Sequence, residues 1–414
     1  MNERETLIRQ FIEIQKAAVG TETQEVPFDD ADWDMLIWLS KRNKCGLLIN
    51  NAVNKDPKHF CIKDETLKKW NEDSRMEFVK ALNMFNEFKR VMESFDNNGI
   101  ESVILKGYAL AALYPGIFQR YSSDLDIKLN PKDKNKVRKL LTEDLGFIWI
   151  EADSKENVDI YYNQKLAIEA HFTLWEDYEG ENIDILRAEK LDDPSTLIEV
   201  EVTGGLKVKT LGITEHLILQ MFHIIKHYIL EGIESRYFCD IAFYVNRYLD
   251  EIDYSRFWTT FEKMHFDDFC VIYFTECIKH FGMTDKALAG RARRLPDDEL
   301  AFLNDIVFLG KRDINDRADY SLLGILSPYV NGGKKTAESK NGRMIQALFP
   351  SVKDIDKKYS YCKKYHLLLP VAWIHRAIRT IFFKLTKGGK VYGAGKKLKE
   401  SEYRIKMMKN VGIK

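Results

Sequence analysis

The hydrophobic period of this 414-residue chain changes twice, and those changes constrain its fold more than any other feature. Up to residue 99 apolar residues recur at helical spacing. Leu7, Phe11, Ile12 and Ile14 form one set, and Trp33, Leu36, Ile37, Trp38 and Leu39 a second. A long run over 65–95 passes through Trp70, Met76, Phe78, Val79, Leu82, Phe85, Phe88, Val91 and Met92. Asn97-Asn98-Gly99 ends that run, glycine being a natural C-terminal stop. Beyond it the period falls to two. Residues 102–105, 124–129, 147–151, 158–162 and 166–173 read as strands, with helices over 107–113 and 131–145 between them. From Thr214 the helical period returns, first through Ile218, Leu219, Met221, Phe222, Ile224 and Ile225 and then through Phe238, Ile241, Ala242, Val245 and Leu249. An α+β fold is therefore expected, with a small mixed β-sheet flanked by N-terminal and C-terminal helical regions. The changes of period divide the chain into a helical region 1–99, a central unit 100–210, a helical domain 211–330 and a C-terminal helical region 331–414 with a basic tail. That agrees with the two or three domains expected at roughly 150 residues each.

Composition excludes several classes. Hydrophobic residues make up 45% of the chain and there are only 9 prolines, so packed cores rather than extensive disorder are expected. The 63 Lys and Arg balance 63 Asp and Glu, which argues against a chain that grips polyanions along its whole length. The balance conceals an asymmetry. Residues 374–414 hold twelve Lys or Arg against two Glu, a net of +10, so the remainder carries −10. The six cysteines form no CxxC pair, and reduced, mostly buried thiols are expected rather than a disulfide framework or zinc ribbon. The charged N-terminus precedes no apolar h-region and no run of 18 apolar residues exists, so neither a signal peptide nor a transmembrane segment is expected and a cytoplasmic location is.

Chemistry concentrates at Asp124-Leu125-Asp126. Residues i and i+2 of a strand share a face, so two carboxylates lie side by side and need a cation between them. Hard oxygen ligands suit Mg²⁺. Upstream, Val103-Ile104-Leu105-Lys106-Gly107 is a strand running into a glycine at a helix start, where backbone N–H groups can approach an anion. Downstream, Glu169 stands between Ile168 and Ala170 on another strand, with His171 two residues on. Three carboxylates beside a phosphate-ready turn suit metal-dependent phosphoryl or nucleotidyl transfer.

These motifs resemble an uncharacterised bacterial nucleotidyltransferase family of the DNA polymerase β-type superfamily. The resemblance is carried by Leu105-Lys106-Gly107-Tyr108-Ala109-Leu110, Leu113-Tyr114-Pro115, Arg120-Tyr121-Ser122-Ser123-Asp124-Leu125-Asp126-Ile127 and Ile168-Glu169-Ala170-His171, and more loosely by His223, His227, Arg236 and Asp240. It implies that 100–210 is a nucleotidyltransferase core. Asp124, Asp126 and Glu169 would be the catalytic and metal-holding residues for two Mg²⁺ ions, with Mn²⁺ as a substitute. Lys106, Gly107, Tyr108, Arg120 and Ser123 would bind the nucleotide, ATP or another NTP donor. His171, His223, His227, Arg236 and Asp240 would stand behind them. The acceptor is unidentified, with a small molecule favoured over a macromolecule.

Plainer readings stand beside these. Lys106 is also what a solvated strand end looks like, Arg120 can pair structurally with Asp124, and Glu169 can face outward. Arg236 and Asp240, at i, i+4, can be a helix-surface ion pair. His223 and His227 have a zinc-compatible spacing but lack a third ligand, so packing against the core is favoured. Tyr108, where the superfamily usually has Ser or Gly, favours an alternative in which the chain binds nucleotide without turnover, as a regulatory module. The basic tail through 374–414 favours weak contact with an anionic surface, or a nucleotidylating toxin acting on protein or tRNA; a core helix followed by a solvated tail is the simpler account.

Overall fold

The computed structural model describes residues 3–22, 26–150, 158–175, 180–310, 320–332, 361–375 and 394–413, with 349, 352 and 359. Four helices open the chain: α1 (Glu3–Ala18), α2 (Trp33–Arg42), α3 (Gly46–Lys55) and α4 (Asp64–Asn97). Asp32 starts α2 by accepting the Met35 N–H at 3.0 Å, which satisfies a donor the helix leaves free. The second half of α4 buries Phe85, Phe88, Val91, Met92 and Phe95, whereas its middle exposes Met76, Phe78, Val79 and Leu82.

The α+β architecture is as expected. Five strands, β1 (Ser102–Ile104), β2 (Leu125–Leu129), β3 (Ile148–Ile150), β4 (Val158–Tyr162) and β5 (Ala167–His171), form a mixed sheet in the order β1-β2-β5-β4-β3. Only β2 and β5 are parallel. Leu125, Ile127, Leu129, Ile168 and Ala170 point into a core shared with the second half of α4. Alternation therefore turns Asp126, Lys128, Glu169 and His171 to the opposite face. The helix expected over 107–113 is a single turn, α5 (Tyr108–Ala111). That expected over 131–145 is a 3₁₀ turn followed by α6 (Lys134–Lys139) and a π turn over Leu140–Asp144. After α7 (Glu181–Ala188) comes a hairpin that was not anticipated, β6 (Ile198–Thr203) and β7 (Leu206–Thr210). Gly204 and Gly205 turn it with φ of +57° and +80°, values that side chains resist.

The helical region comprises α8 (Ile213–Leu230), α9 (Arg236–Arg247), α10 (Tyr254–Lys263), α11 (Asp267–His280), α12 (Glu299–Asn304) and α13 (Tyr320–Asn331), then α14 (Tyr361–Lys364) and α15 (Ala394–Asn410). Its core takes in α1–α3 at one end of the chain and α15 at the other. Five cysteines are buried and Cys61 is exposed, all of them free. Among the described residues, no helix is long and apolar enough to cross a membrane. Residues 376–393, which hold part of the basic tail, lie outside the described residues.

Candidate active site

The polar face of the sheet and helices α8 and α9 enclose a cleft of about 150 Å³. Strand register sets its acidic wall. Asp126 on β2 lies directly opposite Glu169 on the parallel strand β5, and Lys128 lies opposite His171. Asp124, just before β2, lines the same cleft, and its Oδ1 accepts from Ser123 Oγ at 3.3 Å. The Nε2 of His171 stands 3.4 Å from Asp126 Oδ1 and 3.8 Å from Glu169 Oε2.

Lys106 joins this wall to the helices. Its Nζ donates to Asp126 Oδ1 at 3.2 Å and lies 3.3 Å from His223 Nε2. Burial opposes ionisation of Asp126, but the Lys106 ammonium and then His171 outweigh it and hold the carboxyl well below the usual range. Glu169 behaves in the opposite way. Burial, then the charges of Asp126 and Asp124, push its carboxyl up.

The opposing wall carries Lys44 from the α2–α3 turn, His223 and His227 from α8, and Arg236 from α9. The two imidazoles meet edge to face, ring centroids 4.1 Å apart, and His227 Nδ1 lies 3.0 Å from Glu231 Oε2. Arg236 and Asp240 are buried, not a surface pair. Asp240 accepts from Arg120 Nε at 2.7 Å, Arg120 Nη2 at 3.0 Å, Arg236 Nη1 at 2.9 Å and Tyr114 Oη at 2.7 Å. Although burial opposes it, the two guanidiniums hold Asp240 below its ordinary value. Buried Glu234, which lies 3.4 Å from Lys44 Nζ, adds a second negative charge acting on Arg236.

Two expectations are corrected here. Arg120 does not pair with Asp124 or reach out as a free phosphate ligand. Its fork is taken by Asp240, and Nη1 donates to the Gly107 carbonyl at 3.2 Å. Tyr108 does not present its ring to the cleft. It stacks on Phe88 with centroids 4.5 Å apart, inside the sheet core. Gly107 does what only glycine does easily, holding φ at +62° where the chain turns into α5. One helical turn has little dipole, so the side-chain cations rather than a helix end supply the positive field. Lys44, Ser122, Gln220 and Tyr237 also line the cleft and were not foreseen. Lys44 has left-handed backbone, φ +56°, in a turn that carries no motif.

The donors fit a divalent cation. Ligand atoms of Asp126, Glu169 and His171 lie within 4.8 Å of one another, and His171 Nε2 is buried without a hydrogen-bond partner. A family model described as "Uncharacterised nucleotidyltransferase" matches residues 29–282. The chain belongs to this family. The matched span includes α2–α11 and both walls of the cleft. No curated protein and no solved structure matches the chain. Membership of a nucleotidyltransferase family places the chain, at a coarse level, among transferases.

Proposed function

We propose that the cleft transfers a nucleoside monophosphate from an NTP to an acceptor hydroxyl, using Mg²⁺ or Mn²⁺ held by Asp124, Asp126 and Glu169. The observation that carries this reading is the in-register pairing of Asp126 with Glu169 across β2 and β5, in a cleft that Lys44 and Arg236 also line. The acceptor oxygen bonds to the α-phosphorus, the bond from that phosphorus to the bridging oxygen breaks, and pyrophosphate leaves. Bound metal would supply charge neutralisation for the attacking and leaving oxygens. Glu169, whose carboxyl is pushed up, is the base that takes the hydroxyl proton. Lys106, Lys44 and Arg236 line the cleft where phosphate charge must be balanced. Arg120 acts through Gly107 and Asp240, fixing the turn that carries Lys106.

A small acceptor fits this account better than a macromolecule, because the described part of the basic tail packs inward on the helical core. The test is calorimetric titration of each of the four NTPs, with and without Mg²⁺, on the wild type and on Asp124→Asn/Asp126→Asn. Metal-dependent binding that the double variant loses supports the site and identifies the donor base. The burial of Tyr108 in the sheet core and the engagement of the Arg120 fork by Asp240 favour a second reading, a nucleotide-binding module without turnover. NTP binding with no pyrophosphate released, whatever acceptor is supplied, would favour that reading.

A further inference from the structure

Away from the cleft, three metal-capable side chains converge where α12 meets α11. Glu276 and His280 are one turn apart on α11, and Glu299 is the first residue of α12. Glu276 is fully buried, at 0% exposure, and neither of its carboxylate oxygens has a hydrogen-bond partner. A buried carboxylate left in that state is costly unless a cation meets it.

The spacing identifies the kind of cation. His280 Nε2 lies 3.5 Å from Glu276 Oε2 and 3.3 Å from Glu299 Oε1, and all three ligand atoms fall within 4.8 Å. A tetrahedron with metal–ligand distances of about 2.1 Å has an edge of about 3.4 Å. Two carboxylate oxygens and one imidazole nitrogen form a mixed set that suits zinc-class ions better than Mg²⁺. Lys279 pairs with Glu299 through Oε1, the same oxygen that faces His280.

We infer that Glu276, His280 and Glu299 form a second metal site, one that takes a divalent transition ion of the zinc class and clamps α12 to α11. Two ligands lie inside the family-matched span 29–282 and the third lies beyond it. The clamp would therefore fasten the segment after the matched region onto the helical core. α12 in turn leads through a π turn, Asp305–Leu309, to Gly310, and the carbonyls of Phe308 and Leu309 accept from Arg42. Order at α12 thus reaches the helix that precedes Lys44.

The test uses the full chain with the cleft silenced by Asp124→Asn, Asp126→Asn and Glu169→Gln, and free Zn²⁺ as the probe. Calorimetry in millimolar Mg²⁺ is expected to give one equivalent of Zn²⁺ bound, with a rise in the melting midpoint of about 5 °C. Glu276→Gln, nearly isosteric, and Glu299→Gln, at the partly exposed ligand, are each expected to weaken binding more than tenfold while circular dichroism stays unchanged. Absence of a stoichiometric Zn²⁺ site, or a site indifferent to both substitutions, overturns the inference. No nucleotide enters the measurement, so its outcome is independent of the transfer reaction.

Discussion

At the scale of single residues the cleft is a balance of charge. Asp126 shares one ammonium with its surroundings, and Lys106 is where that balance can be tested. Lys106→Met removes a cation that competes for Asp126. It is expected to tighten Mg²⁺ binding without nucleotide, by about tenfold, while weakening NTP binding. Titration calorimetry on the variant, with each ligand separately, measures both. Asp126→Asn removes the carboxylate proposed as the central metal ligand and is expected to cut transfer by about 100-fold or more with the fold intact, read as pyrophosphate release. Glu169 adds a pH dependence. Its carboxyl holds a proton above the usual range, and that proton must leave before the oxygen can take a metal. Mg²⁺ affinity should therefore begin to fall at a higher pH than an ordinary carboxylate would impose, and Glu169→Gln should flatten the trend. These acidic residues were legible because a period of two assigns faces without a structure. The partner of Arg120 was not. Asp240 lies 120 positions away on α9, and no local pattern links the two. The same distance in sequence disguised Arg236–Asp240 as a surface pair when a second guanidinium in fact closes over it.

At the scale of elements, two junctions hold the walls of the cleft in place. In the first, Tyr114, Arg120 and Arg236 converge on Asp240, tying the segment between α5 and β2 to α9. Asp240→Asn would leave two guanidiniums buried without a carboxylate, and about 3–5 kcal/mol of stability should be lost in urea unfolding. In the second, His216 in the first turn of α8 donates from Nε2 to the Leu105 carbonyl at 2.8 Å, one residue before Lys106. It is 1% exposed, and burial pushes its imidazole down to about 4. The unfolded chain takes up this proton near its ordinary value of 6.5, so the contribution of His216 is full above that pH and declines as the pH falls towards 4. The loss is about 3 kcal/mol over that window. Unfolding measured across it should show the decline in the wild type, and His216→Gln should show less of it. Expectation from sequence did well with β1–β5, whose alternation is set by one buried face. It overlooked β6–β7 although Ile198–Thr203 and Leu206–Thr210 alternate on either side of a Gly-Gly turn. It overextended α5 because a run of small apolar residues suits a buried turn as well as a helix.

At the scale of the whole molecule, the two ends of the chain complete one helical core, which periodicity could not reveal because it assigns faces but not neighbours. α1–α3 and α15 share that core with α8–α11, while the second half of α4 belongs to the sheet. The C-terminal segment read from sequence as a basic tail is, over 399–413, largely an inward-facing helix end. Met408 and Val411 are 0% exposed. Arg404, 1% exposed, donates to Asp305 Oδ2 at 2.6 Å and to the Tyr228 carbonyl, and Tyr228 returns a bond to Met407 at 3.2 Å. Composition counts Arg404 as surface charge, whereas its partner is a buried aspartate 99 positions earlier. Removing the helix therefore tests folding before it tests recognition. Deletion of 394–414 is expected to strip the apolar cover from α8 and leave Asp305 uncompensated, giving a chain that aggregates or loses cooperative unfolding. Arg404→Met should cost about 3–5 kcal/mol by itself, since it orphans the same carboxylate while keeping the packing volume. Comparing the two in urea denaturation separates the ion pair from the apolar contact. If the deleted chain instead unfolds at the wild-type midpoint and only loses action on a macromolecular acceptor, the segment serves recognition, and the case for a small acceptor weakens with it.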